Sequence, residues 1–202
     1  YVSKNTSFTD YTFSAPRIRG EGELLVLDDT PTAFAVLNGD LLVSAGRDHW
    51  YKTSFQLSPG SAADREVLSV KKLKTGIDIA AQSQEFVTSL GNAIAFLTFE
   101  PALRIIEQAE TLENPFMLSL SNPIKPDFDA ETFTNGSCFF FMNRIFVSAP
   151  TNAKVYINET IEDASGSLKR FWQTPQILPV RNFSIISSDL AGHSGSATES
   201  YK

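Results

Sequence analysis

The sequence predicts an all-β chain, arranged as a β-propeller-like series of four-stranded blades in repeats of about 45–53 residues. Three observations predict it. Short β-branched and aromatic runs are split by two-residue polar breaks, which is the pattern of β-hairpins. The breaks recur four times at positions 38, 91, 143 and 188, so the intervals are 53, 52 and 45 residues. Further apolar runs follow each break at nearly constant distances.

The clearest unit is CFFFMNRIFVSAPTNAKVYI, Cys138 to Ile157. An apolar run meets a break at Asn143-Arg144, a second run ends at Pro150, and a third begins after a polar loop at Lys154. Asn38-Gly39 similarly separates AFAVL from DLLVSA, Gly91-Asn92 separates FVTSL from AIAFLT, and Ser188-Asp189 separates FSIIS from LAGHS. Tyr51, Tyr156 and Tyr201 each lie 13 residues beyond the start of a break and mark a third strand. In the second unit Arg104-Ile105 takes that place. Val67 to Val70, Phe116 to Leu120 and Phe171-Trp172 mark the fourth.

A lone four-stranded sheet cannot bury both faces, whereas sheets stacked around an axis bury each against its neighbours. Strands buried on both faces need not alternate, which suits Ile94 to Leu97 and Cys138 to Met142. The units start near residues 33, 86, 138 and 183, within one β-repeat domain over residues 1–202. The chain starts at Tyr1 and stops after a third strand, which is the pattern of a segment of a larger propeller. Termini that complete each other in a four-bladed ring are the competing arrangement. A two-sheet β-sandwich is the alternative fold.

Other stretches are less regular. Tyr11 to Phe13 and Leu24 to Leu27 are strand-like, split by Pro16, Gly20 and Gly22. Pro101 to Leu112 carries Ile105, Ile106, Ala109 and Leu112 at helical spacing, but a strand over Leu103 to Ile106 fits the repeat better. Asn122 to Glu131 is expected to be a loop or connector, and Ile161 to Leu168 a polar turn.

Composition narrows the function. Sixteen Phe residues and a 42% apolar share can fill a core. The net charge of −6 argues against nucleic acid, which needs clustered Lys and Arg. Lys71-Lys72 with Lys74 is the longest basic cluster and reads as a solvated strand face. No apolar run reaches 18 residues, so no membrane span is expected, and no secretory leader is recognisable. Cys138 is the only cysteine, which excludes an internal disulfide, and it reads as a small buried apolar residue.

Candidate chemistry is sparse. Gly192-His193-Ser194-Gly195-Ser196 comes near the Gly-x-Ser-x-Gly nucleophile elbow, but its last position is Ser and no His follows Ser194. Asp127, Asp129 and Glu131 form a D-x-D-x-E run, yet Thr132 stands where a Ca²⁺ loop needs Gly, so a solvated loop is preferred. No carboxylate pair announces glycoside hydrolysis. Tyr51, Tyr156, Tyr201, Trp50 and Trp172 read as packing residues between blades rather than as ligand-stacking aromatics. Asn5, Asn135, Asn158 and Asn182 begin N-x-S/T sequons and are read as chance matches. No catalytic, cofactor-binding or metal-binding residue is assigned.

Phe171 to Pro175, the Ser188-Asp189 break, Gly192 to Ser194 and Glu199 to Lys202 together resemble a blade of the propeller-like structural proteins of tailed phages and related viruses. In that family an aromatic-Trp-Gln-x-Pro run closes one blade, and a hairpin and a Gly-His-Ser…Glu-Ser-Tyr-Lys stretch follow. The unit NRIFVSAPTNAKVYI is of the same type. The resemblance covers about 70 residues and carries no catalytic residue. It implies a non-enzymatic virion or tail component, acting as scaffold or host-contact surface, virion-borne or extracellular. Expected partners are other virion proteins and further copies of the chain. The alternative is a carbohydrate-binding or glycan-cleaving propeller, with a surface glycan as its ligand.

Overall fold

In a computed structural model, residues 27–57, 66–73, 79–107, 116–163, 165–186, 189–193 and 200–201 are described. They form small antiparallel sheets with little helix. The first sheet holds β1 (Pro31–Leu37), β2 (Asp40–Ala45), β3 (His49–Leu57) and β4 (Glu66–Lys72) in that spatial order. The second holds β5 (Val87–Ser89), β6 (Ala93–Leu97), β7 (Leu103–Glu107) and β8 (Phe116–Ser119). The third holds β9 (Cys138–Phe141), β10 (Arg144–Ala149), β11 (Lys154–Glu162) and β12 (Leu168–Trp172), and β13 (Gln176–Ile177) also pairs with β11. The fourth holds β14 (Asn182–Ile186), β15 (Asp189–His193) and β16 (Ser200–Tyr201). Each sheet follows chain order, so the short connections expected of the repeat are present. Among the described residues there are four sheets, not the two of a sandwich, and none closes on itself.

The sheets pack in succession, and side-chain alternation along each strand explains how. Leu37, Leu42 and Trp50 of the first sheet meet Ile94, Phe96 and Ile106 of the second. The intervening residues Ala95, Leu97, Leu103 and Ile105 point the other way, onto Ile145, Val147 and Tyr156 of the third. Phe146, Val155 and Ile157 on the far face of the third sheet meet Phe183 of the fourth and Val180 ahead of it. The inner sheets thus bury both faces, and each fully buried Leu, Ile or Phe contributes about 1.5–3 kcal/mol of transfer free energy. The leading strands also touch in sequence, β1 on β5, β5 on β9 and β9 on β14.

Several expectations are sharpened. Tyr51, Tyr156 and Tyr201 all fall in third strands, and Val67 to Val70, Phe116 to Ser119 and Phe171-Trp172 in fourth strands. The break expected at Asn143-Arg144 is in fact Met142-Asn143, both with positive φ, and Arg144 already pairs with Phe141. Asp189 likewise lies in β15, paired with Ile186, while Ser188 is outside the described residues. Leu103 to Glu107 is a strand and not a helix, because β6 and β8 both pair with it and its faces are buried in different cores. Asn122 to Glu131 is not a plain loop. It contains a 3-10 turn over Asn122–Ile124 and a short helix, α1 (Lys125–Asp129), which presents buried Phe128 to the third sheet. The polar turn expected over Ile161 to Leu168 is shorter, since Ile161 and Glu162 pair with Lys169 and Leu168. Tyr11 to Phe13, Lys74, Ala109 and Leu112 lie outside the described residues.

Candidate functional site

The segments that lead into the first strands of the second, third and fourth sheets converge on one open recess of about 680 Å³. Gln82, Ser83, Glu85 and Phe86 precede β5, Thr134 to Gly136 precede β9, and Arg181-Asn182 opens β14, with Phe99 added from the β6–β7 turn. The walls are held by side chains bonded to backbone. Gln84 grips β1 on both sides: its Oε1 accepts from Phe34 N at 2.7 Å and its Nε2 donates to Phe34 O at 3.1 Å. Phe140 N donates to Thr88 Oγ1 at 3.1 Å, tying β9 to β5.

A buried hydroxyl organises the opposite wall. Ser148, near the end of β10, accepts from Ser137 N at 2.8 Å and lies 3.3 Å from Arg181 O. Ser137 Oγ donates to the same Arg181 carbonyl at 2.7 Å. Ser44, at the matching place in β2, accepts from Ala81 N at 2.8 Å. In both units a hydroxyl near the end of the second strand staples the segment leading to the next sheet. Gly136 makes this approach feasible, since a Cβ there would stand 2.1 Å from Ser148 O. Asn135 beside it adopts φ 59°. Phe86 and Phe133 meet edge-on at 6.4 Å beneath the recess, and the Arg47 guanidinium lies 5.4 Å from the centroid of the Phe99 ring.

Among the described residues the lining offers amides and hydroxyls, one cation, Arg181, and one carboxylate, Glu85. A hydrogen bond from Ser83, with a backbone one, holds the Glu85 carboxyl below its usual range. The set can hydrogen-bond a neutral polar ligand. Among the described residues, Glu85 is the one carboxylate on the lining, where glycoside hydrolysis uses two that face each other.

Residues singled out in the sequence fall elsewhere or play other parts. Glu131 is buried, and its carboxylate takes hydrogen bonds from Asn152 Nδ2 and Tyr156 Oη, each at 2.6 Å, and from Lys154 Nζ. Burial pulls its pKa upward, but those three donors outweigh it and hold the carboxyl below its ordinary value. Asp129 is bonded to Lys125 at 2.7 Å, so the D-x-D-x-E run is split among separate partners. Tyr156 lies in an aromatic cluster with Phe128, Phe133 and Trp172, and burial with the Glu131 acceptor pushes its phenol pKa up. Trp50 and Trp172 donate to Ile79 O and Leu120 O, both at 2.8 Å, and Trp50 stacks edge-on with Phe96. Tyr51 packs on the other face of the first sheet with Leu27.

His193 Nε2 sits 2.7 Å from Ser184 Oγ, a cross-strand pair outside the recess lining, while Ser194 to Ser196 lie outside the described residues. Cys138 is buried, and desolvation pushes its thiol pKa up. Of the sequons, Asn135 and Asn182 are exposed at the recess and Asn158 is buried; Asn5 is outside the described residues. Sequence reasoning missed Ser44, Ser148 and Arg181. The signal was the repeated Val-Ser-Ala at 43–45 and 147–149, placed alike after two breaks.

No family model matches this chain, and neither curated proteins nor solved structures give a match. Among the described residues no helix is long and apolar enough to cross a membrane.

Proposed function

We propose that the chain is a β-propeller-like, non-enzymatic structural and interaction protein, serving as scaffold or host-contact surface in a virion or phage tail. The observation that supports this reading is the succession of meander sheets. Each packs on the next through its own apolar face, with leading strands in contact. Such stacking gives a rigid body whose loop-bearing ends are free to vary and to bind. The viral assignment rests on the resemblance carried by Phe171 to Pro175 and the residues after it. Proteins of this kind work as rings or tubes of copies. Full-length protein is expected to sediment as a homo-oligomer and to be found in purified particles. A persistent monomer absent from particles overturns the proposal.

A second reading is favoured by the recess itself. Its amides, hydroxyls and the Phe99 ring suit the hydroxyls and apolar faces of a saccharide. On this reading a glycan array gives saturable binding that Phe99→Ala weakens. A blank array removes it.

A further inference from the structure

A second, smaller recess of about 280 Å³ lies at the β6–β7 corner, and its electrostatics differ from those of the first. Arg104 lines it from β7, opposite Phe96 on one side and Ser119 on the other. Its Nε is buried and has no hydrogen-bond partner, and among the described residues no carboxylate lies within ion-pair distance of it. A buried guanidinium N–H without an acceptor is a cost to folding, and native proteins leave few such groups.

None of the neighbouring polar groups bonds to Arg104. The buried hydroxyls bond to backbone instead: Ser121 Oγ accepts from Leu103 N at 3.1 Å, and Thr98 Oγ1 donates to backbone carbonyls of its own turn. Asn122 spends its amide oxygen on Ser119 Oγ at 2.9 Å and keeps its two N–H donors. Lys125 adds a second cation whose third N–H is left after its bonds to both oxygens of Asp129. Glu100 is the carboxylate on the lining; it is exposed and makes no bond to Arg104. Arg104 is therefore the cation of this lining that has no carboxylate partner among the described residues, since Lys125 already pairs with Asp129.

We propose that this recess binds a small oxyanion, a phosphate, sulfate or carboxylate group, with Arg104 as its main contact and Asn122 and Lys125 beside it. A planar guanidinium offers paired N–H groups at the spacing of two oxyanion oxygens, and charge-assisted bonds of that kind are the strong ones. The bound anion gives the Arg104 guanidinium the charged partner that it lacks among the described residues. The proposal stands independently of the viral reading and of the larger recess.

The test uses the full chain and inorganic phosphate, with acetate as the planar oxyanion, titrated calorimetrically against chloride at equal ionic strength. Saturable binding of either oxyanion to one site per chain is expected. Arg104→Met should weaken it at least tenfold, Arg104→Lys less, and Lys169→Met, a charge change elsewhere on the surface, not at all. In chloride alone Arg104→Met should keep or raise Tm, and phosphate should raise the Tm of the wild type only. Wild-type protein that responds to phosphate and acetate as it does to chloride overturns the proposal, as does undiminished binding by Arg104→Met. A lower Tm of Arg104→Met in chloride, with no phosphate effect on the wild type, assigns Arg104 to folding instead and also overturns it.

Discussion

Glu131 shows how one side chain fixes the connector between the second and third sheets. Its carboxylate is nearly inaccessible and collects donors from Asn152, Lys154 and Tyr156. Glu131→Gln keeps the shape but removes the charge those donors need, and should cost about 2–4 kcal/mol in urea unfolding. Because the folded pKa lies below the ordinary 4.5, the stability it contributes is fully present above that value. It is lost as pH falls through the folded pKa. The wild type should therefore lose stability below about pH 4.5 more steeply than Glu131→Gln, as read by urea midpoints over that range. Gly136 is fixed by proximity rather than by φ, and Gly136→Ala forces a methyl onto the Ser148 carbonyl. About 1–3 kcal/mol should be lost, checked by thermal unfolding. Neither role was legible in the sequence. Glu131 sat in an acidic run that suggested solvent or a cation, and its donors lie 21 to 25 residues further on.

At the scale of elements, the hairpins were legible because their turns have local chemistry. Asn38 and Gly39 have φ 51° and 87°, the left-handed pair that a two-residue turn between twisted strands demands. A Cβ on residue 39 meets nothing within 4 Å, so Gly39→Ala is opposed by backbone conformation alone. It should cost about 1 kcal/mol and leave the register Leu37↔Asp40 intact, as equilibrium unfolding with amide-exchange mapping can check. The turn at Met142-Asn143 was misplaced by one residue because Met gives no turn signal and the neighbouring Asn does. Helix α1 was hidden for a different reason. Five residues with Pro126 near the start are too short to show a 3.6-residue period, and only the burial of Phe128 against the third sheet accounts for them. The larger recess was illegible in principle. Its walls come from residues near 82, 99, 134 and 181, which only the stacking of sheets brings together.

Over the whole molecule, the second and third sheets are covered on both faces, so neither can lose a neighbour without exposing a core. The described residues should therefore unfold together, with Trp fluorescence and circular dichroism giving one urea midpoint. Cys138 turns this into a measurement at a single atom. It is the chain's one sulfhydryl, 4% exposed, in the seam between those two sheets, with its deprotonated form disfavoured by burial. A maleimide added to native protein should leave it almost unmodified, while adduct mass should accumulate at the rate at which the seam parts. The protein thus carries its own clock for separation of its middle layers, and any ligand that clasps those layers will slow that clock in proportion to how tightly it holds.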